Sequence, residues 1–391
     1  MSSHDARVLG RRIAVVRGAR NLRQTDLARA SFVSLSMIKA IEQGRRLPSD
    51  STLEALAAAL RVDPARLLDT HTGTETRVSA ALPAISAGIA TYDVPLALPR
   101  RPLDELRTAV VQMGRWRLDA QYGRIAAHAP DLLEDVLATF HAAQDKRAAA
   151  RLVVATARSA DAVAFKYGAR DLSARLVDLM RWAVPYAEDP LLTAAVAYVR
   201  TEVFFTARAH AAAIRVLEAA MDAAPAVCDE STAAARGALH MRAAVVAGRD
   251  SDADAAHSHL AHARRLSAWT REGIYSGTAF GPESVRVHEL SVAIGLGQDH
   301  TAEALGVVQR WTPGETLPAE RRSGFWIELA RAQAWGGRFD DAFTSLKRAR
   351  SIAPQHTREH PWAREAVGTL VRLRRTDDAS LRSFASWIGA C

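Results

Sequence analysis

The chain of 391 residues is 49% apolar and 24% charged, with 15 Pro and 22 Gly, proportions of a globular chain of two or three domains that exclude collagen-like, mucin-like and wholly disordered polymers. Aromatic residues make up only 6% within Ala-rich Leu/Arg/Glu text, and Ala loses no side-chain entropy in a helix, so an all-β fold is excluded and an all-α fold expected. The formal charge is +8, and residues 1–70 hold twelve Arg and Lys against seven Asp and Glu, so five of those charges sit in that short segment, an excess that attracts polyanions such as nucleic acid.

The first seventy residues read as five short helices. Leu9, Ile13 and Val16 form one helical stripe, and a second apolar face with Leu27 and Ala28 follows Gln24. Ser34 offers an N-cap hydroxyl to a helix that turns Ile38 and Ile41 inward and stops at Gly44, a residue able to take the left-handed conformation. Ser51 with Glu54 fits a capping box ahead of Leu53, Leu56 and Leu60, and Asp63-Pro64 starts a fifth helix. Residues 71–103, with Pro83, Pro95, Pro99 and Pro102, read as a linker carrying one short apolar helix around Ile85–Ile89.

Residues 104–391 return to amphipathic helices. The clearest unit runs Phe325-Trp326-Ile327-Glu328-Leu329-Ala330 through Trp335-Gly336-Gly337-Arg338-Phe339 to Ala342, Leu346, Ala349 and Pro354. It resembles the tetratricopeptide repeat, with small residues where paired helices approach and an aromatic in the wedge between them. Helix pairs of similar length are expected at 105–143, 147–187, 190–224, 231–269 and 284–310, with a final helix near 363–390 as a cap. A right-handed superhelical array with a concave face is the architecture this implies.

The head carries the most specific motif: Leu9-Gly10-Arg11-Arg12-Ile13, then Leu22-Arg23-Gln24-Thr25-Asp26-Leu27-Ala28, then Val33-Ser34-Leu35-Ser36-Met37-Ile38-Lys39-Ala40-Ile41-Glu42-Gln43-Gly44-Arg45-Arg46. Residues 9–68 resemble the Cro/C1-type helix-turn-helix of phage repressors and xenobiotic-response-element regulators, which implies a five-helix lambda-repressor-like domain. The resemblance implies that the second motif helix lies in the major groove with Leu35, Ser36 and Ala40 towards the bases. It places Gln24, Lys39, Arg45 and Arg46 on phosphates and makes Arg17 and Glu42 a structural ion pair. Two departures from the family stand out: Phe32 where the turn usually has Gly, and Arg23 where the helix cap is usually Thr or Ser, which weakens that end by about 1 kcal/mol.

Further on, Phe280-Gly281-Pro282-Glu283-Ser284-Val285-Arg286-Val287-His288, followed by Leu290, Val292, Ile294 and Gly295-Leu296-Gly297, completes a second resemblance. With the head, it is similar to a family of actinobacterial regulators with a degenerate tetratricopeptide array, in which Thr-Asn commonly stands where this chain has Glu283-Ser284. Two readings stay open: the segment meets an effector, or Gly281-Pro282 simply starts a helix and His288 packs in a satisfied hydrogen bond.

Metal binding and catalysis find no support in the text. His257, His259 and His262 spread over more than one helix face, His356 and His360 lack a third ligand, and no phosphate-cradling or nucleophile motif occurs, so no metal, cofactor or enzymatic activity is expected. Trp116, Trp182, Trp269, Trp326 and Trp335 fall at helical packing positions and read as core. Cys228 and Cys391 are too few for a disulfide framework. No run of eighteen apolar residues occurs and the start lacks the apolar core of a signal peptide, so a cytoplasmic protein without membrane contact is expected.

These readings point to a transcriptional regulator: a homodimer on a near-palindromic double-stranded operator, with a helical-repeat domain that dimerises and senses a peptide or small-molecule effector. Arg200, Arg242, Arg286 and Gln333 are its candidate effector contacts. The alternative is a protein-interaction scaffold in which the repeats bind a partner protein and DNA binding is secondary.

Overall fold

A computed structural model describes residues 3–20, 22–60, 62, 67, 74–94, 98–309, 311–373 and 378–390. Contacts divide the chain after Gly73 into two units. It is all-α apart from one short hairpin among the described residues.

In the first unit, α1 (Ser3–Ala19), α2 (Gln24–Ser31), α3 (Leu35–Glu42) and α4 (Asp50–Ala59) surround a core of Leu9, Ile13, Leu27, Ile38, Ile41, Leu53, Leu56, Leu60 and Leu67. The Ser34 hydroxyl caps α3 by accepting from the Met37 N–H at 3.3 Å, and Gly44 takes φ +67° just beyond its end. At α4 the cap is Ser49, which accepts from the Thr52 N–H at 3.3 Å. The helix therefore begins two residues earlier than a Ser51 cap implies; the side chains of Ser51 and Glu54 lie outside the described residues, as does Asp63-Pro64.

α1 and α3 pack very closely at one point. A Cβ added to Gly10 would lie 2.0 Å from the Ile41 carbonyl oxygen and 3.0 Å from that of Glu42, so only a residue without a side chain fits there.

The second unit begins inside the expected linker, which is corrected: α5 (Thr74–Gly88) packs on α7, burying Val78 and Ile85, and Ile89 is buried just beyond it. The remaining connection is strapped down as well. Asp135 of α7, only 4% exposed, accepts from Arg100 Nε at 2.8 Å and from Arg101 Nε at 2.7 Å.

Six helix pairs follow: α6 (Leu103–Leu118) with α7 (Tyr122–Ala142), α8 (Arg147–Lys166) with α9 (Arg170–Ala183), α10 (Pro190–Ala207) with α11 (His210–Ala223), α12 (Glu230–Arg249) with α13 (Ala253–Ser267), α14 (Pro282–Leu296) with α15 (Thr301–Gln309), and α16 (Ala319–Trp335) with α17 (Phe339–Ile352). A short α18 (Pro354–Glu359) leads into α19 (Pro361–Leu373) and α20 (Ala379–Ile388), two cap helices in place of the single one expected. Burial follows the small residues: Ala330, Ala342 and Ala349 are 0% exposed, which lets neighbouring helices approach. Trp326 is in this core, whereas Trp269 is 64% exposed and is not the packing residue its position suggested.

A hairpin interrupts the helices: β1 (Gly273–Tyr275) and β2 (Thr278–Phe280) pair antiparallel through a tight turn in which Ser276 and Gly277 both have positive φ. No helix among the described residues is long and apolar enough to cross a membrane.

The array does not stay open as a concave sheet of helices. α16 returns to contact α6; Gln355 Oε1 accepts from the Gly123 N–H at 3.1 Å; and Lys166 Nζ lies 3.0 Å from Glu320 Oε1 and 3.1 Å from His356 Nε2. These contacts join residues 154 to 232 positions apart and wrap the second unit around a central cavity.

The Gly10 contact yields a test. Gly10→Ala must push α1 off α3, an overpacking that costs about 1–3 kcal/mol. Amide hydrogen exchange should accelerate across α1–α3 and stay unchanged across α12–α14; protection of α1 equal to that of the parent chain would contradict the contact.

Candidate functional site

Two places gather functional chemistry, one in each unit. In the first, α2 and α3 form the helix-turn-helix. Phe32 occupies the left-handed conformation that ends α2 (φ 55°) and is 97% exposed, so the turn keeps its course although an aromatic stands in it. Arg23 has no side-chain acceptor to offer as a cap; instead Asp26 Oδ2 accepts the Arg23 backbone N–H at 2.9 Å, anchoring the same helix end from inside.

Behind the turn, Glu42 ties three elements together. Its carboxylate takes Arg17 Nε at 2.7 Å and Arg17 Nη2 at 3.0 Å, a bidentate pair, and Gln24 Nε2 at 2.7 Å. Arg17 Nη1 also donates to the Leu22 carbonyl at 2.7 Å, and the bond to Glu42 raises the Arg17 pKa above its already high ordinary value. This fixes the angle between α1 and the motif. On the outer side Ser36, Lys39, Arg45 and Arg46 are exposed, and Leu35 and Ala40 half-exposed. Gln24 is half-buried, with its amide committed to Glu42.

The second site is the central cavity of about 300 Å³. The first helix of every pair contributes: Arg117 from α6; Arg158, Asp161 and Lys166 from α8; Tyr198 and Glu202 from α10; Arg242 and Arg249 from α12; His288 from α14; Glu320, Arg321 and Glu328 from α16. Around the closure, His356, His360 and Trp362 complete the wall, and the hairpin tip covers another side. Six cations therefore face four carboxyls among the described lining residues.

Hydrogen bonds set the state of these groups. Arg117 Nη2 and Arg158 Nη1 each donate at 2.7 Å to a hairpin carbonyl, Gly277 and Ser276 respectively. Burial and the neighbouring Arg117 pull the Arg158 pKa down to about 9, still a cation at neutral pH. Asp161 accepts the Ser173 hydroxyl at 2.6 Å, yet burial and then the Glu202 charge push its carboxyl well above the usual range. Lys166 donates to His356 Nε2, so the other ring nitrogen, 2.6 Å from the Ser323 hydroxyl, carries the proton. Burial, reinforced by Lys166, holds His356 well below the imidazole range. His288, held down by burial and Arg321, sets one ring nitrogen 2.9 Å from the Ser284 carbonyl and takes Arg321 Nη1 at 2.8 Å on the other. Both imidazoles are neutral.

Of the four candidate effector residues, the structure places only Arg242 in the cavity wall. Arg286 is exposed beside Trp311, 5.7 Å from its ring centre; Arg200 stacks on Phe204 at 5.4 Å; and Gln333 is buried, with Oε1 accepting from Ser345 at 2.8 Å. The residues that sequence reading missed, Arg158 and Asp161 foremost, do carry a signal: a charged pair three residues apart inside the apolar run from Leu152 to Val163. Buried charge on a packing face demands a partner or a purpose.

For Gly281-Pro282, the structure shows the helix start and the satisfied His288. Gly281 does start α14, and Glu272 caps it, accepting from the N–H groups of Glu283 and Ser284 at 2.9 Å and from the Ser284 hydroxyl at 2.6 Å. His288 is hydrogen-bonded and also lines the cavity. The other histidines are used within the fold: His240 lies 3.0 Å from His259 (Nδ1 to Nδ1) and stacks on His262, while His257 and His300 flank Glu303. Among the described residues no group of three side chains is arranged to hold a metal ion.

Comparison with known proteins identifies the first unit. Residues 8–69 match the helix-turn-helix domain family, and the N-terminal unit is a helix-turn-helix domain. No curated protein matches the chain's sequence. Two solved structures resemble the chain at low similarity. Bacillus thuringiensis PlcR, in complex with the peptide PapR7 and DNA, is 14% identical, with 67% of this chain and 95% of that one covered at a TM-score of 0.28. The apo competence regulator ComR from Streptococcus vestibularis is 9% identical, with 97% and 96% covered at a TM-score of 0.29.

The charged wall has a measurable consequence. Burial raises the Glu328 carboxyl from 4.5 to about 7, opposed by the Ser291 hydroxyl at 2.6 Å and by Arg249. The folded chain thus holds a proton that the unfolded chain releases, and this contribution to stability is full below pH 4.5 and lost as the pH rises through 7. Neutral buried imidazoles act in the opposite direction, so Glu328→Gln is compared with the parent at each pH. The variant should match the parent near pH 4 and melt several degrees higher at pH 8; an equal difference at both pH values would contradict the assignment.

Proposed function

We propose that this protein is a sequence-specific DNA-binding transcriptional regulator of the Cro/C1 type, joined to a degenerate tetratricopeptide-like sensor of the kind found in actinobacterial regulators. The observation that carries the reading is the helix-turn-helix match over residues 8–69, together with the exposure of Ser36, Lys39, Arg45 and Arg46 around α3. The basic excess of the first seventy residues supports it.

In this reading Leu35, Ser36 and Ala40 face base edges. Ser36 can donate or accept, and the two apolar side chains meet thymine methyls. Lys39, Arg45 and Arg46 hold phosphates, and Gln24 does so with the part of its amide not engaged by Glu42. The protein acts as a homodimer in the cytoplasm, on two half-sites roughly 34 Å apart. It is not an enzyme. The wrapped array is its sensor, and an effector acts by favouring one spacing of the paired heads, through its differential affinity for the two states. A cavity of about 300 Å³, at the small end of ligand pockets, favours a compact effector. PlcR, solved with both a peptide and DNA, offers a parallel for the two-part layout.

A mobility shift against the protein's own promoter, run as a salt series, tests this. Specific binding is expected, with Arg45→Ala/Arg46→Ala weakening all sequences alike and flattening the log–log salt slope by about 2. Ser36→Ala should instead change preference among sequences. No specific shift at low salt would favour the protein scaffold, and identical behaviour of both variants would overturn the assignment of base-facing positions.

A further inference from the structure

Four of the six cations among the described lining residues are not paired with the cavity's own carboxylates. Among the described residues, no carboxylate oxygen lies within 4.0 Å of the side-chain nitrogens of Arg117, Arg158, Arg249 or Arg321. The first two spend donors on hairpin carbonyls, but Arg321 donates only to the neutral His288. The Arg249 side chain makes no hydrogen bond among the described residues; its guanidinium is stacked 4.2 Å from the Phe205 ring centre and 5.6 Å from that of Trp362. Arg242 lies 3.9 Å over Tyr198, its Nη2 3.5 Å from Glu202, and its buried Nε has no partner.

Aromatic rings thus hold two guanidinium planes while edges that donate in parallel pairs remain available at one cavity. Such a donor set fits the oxygens of a carboxylate or phosphate. An anion between these groups takes up donors that the fold itself leaves without a carboxylate. Size narrows the occupant. A volume of about 300 Å³ is at the small end of ligand pockets, room for a small metabolite.

We propose that the central cavity binds a small organic anion, a carboxylate or a phosphate monoester, through Arg242, Arg249 and Arg321. Its regulatory meaning rests on the sensor reading above; the binding itself does not. Because the three arginines come from α12 and α16, on the two sides of the His288 helix, an anion between them cross-links the two repeats that flank that helix, close to the closure of the array.

Thermal shift and calorimetry on the full-length chain at constant ionic strength test the site. The probes are succinate and citrate in one arm, glycerol phosphate and inorganic phosphate in the other, and neutral succinamide as the reference. Saturable stabilisation by at least one anion and none by succinamide is expected, and the responding arm tells carboxylate from phosphate. Arg249→Gln and Arg321→Gln should each weaken that anion tenfold or more, and Arg249→Lys, which keeps the charge but loses the fork, less so. Arg286→Gln, outside the cavity, should bind as the parent does. Melting without ligand shows whether each variant is folded; if Arg321→Gln is not, the Arg249 pair decides.

No saturable shift with any anion, an equal shift with succinamide, or undiminished binding by folded Arg249→Gln overturns the proposal. A bound anion that leaves the DNA mobility shift unchanged keeps the site and overturns the sensor reading alone.

Discussion

Closure of the array rests on a handful of contacts between parts of the chain far apart in sequence. Lys166 is central to it, reaching from α8 to Glu320 and to His356, while Gln355 reaches back to the start of α7. Once α16 lies against α6, the inward faces of all the first helices of the pairs look at one another. Charges on those faces are partly withdrawn from bulk water, and the most buried of them lean on neighbours. Asp161 is answered by Ser173 and by a carboxyl pushed well above the usual range, His288 by an imidazole held well below its own usual range, and Arg117 and Arg158 by the carbonyls of an inserted hairpin. The hairpin, which interrupts an otherwise helical chain, supplies exactly such acceptors: neutral, and held by a turn that needs positive φ at two successive residues.

The head obeys a similar rule on a smaller scale. Its core is apolar, and one carboxylate, that of Glu42, organises the polar groups behind the motif by taking Arg17 twice and Gln24 once. With α1 seated on the α3 carbonyls at Gly10, little freedom remains in how α3 is presented. The surface that meets a duplex is then set by a rigid support, and the exposed basic residues need no order of their own until a partner arrives.

Much of the fold was legible because it is local. Helix pairs follow from apolar stripes at helical spacing and from small residues at the crossings, and the structure puts them within a few residues of where that pattern does. The misses are also local and physical. Ser49 and Ser51 are both competent caps, and composition does not say which hydroxyl meets an N–H. The proline-rich stretch before residue 103 reads as linker, although α5 tolerates Pro83 and buries Val78 and Ile85. The candidate effector residues show the limit most clearly: four polar residues on helices were plausible, and only Arg242 faces the cavity.

The sequence by itself determined a helix-turn-helix head with a basic surplus and a train of amphipathic helix pairs, because both are written in periodicity and in spacings of a few residues. Tertiary structure decided that the train closes and that Arg321 joins Arg242 and Arg249 of α12 in one wall, where, among the described residues, Arg249 and Arg321 meet no carboxylate within 4.0 Å. The closure and the meeting of Arg321 with the two α12 arginines join residues that sequence separates by about 70 to 230 positions. Which charges share a cavity depends on how each pair of helices is rotated against the next, a quantity fixed by the packing of whole faces and not by any short motif.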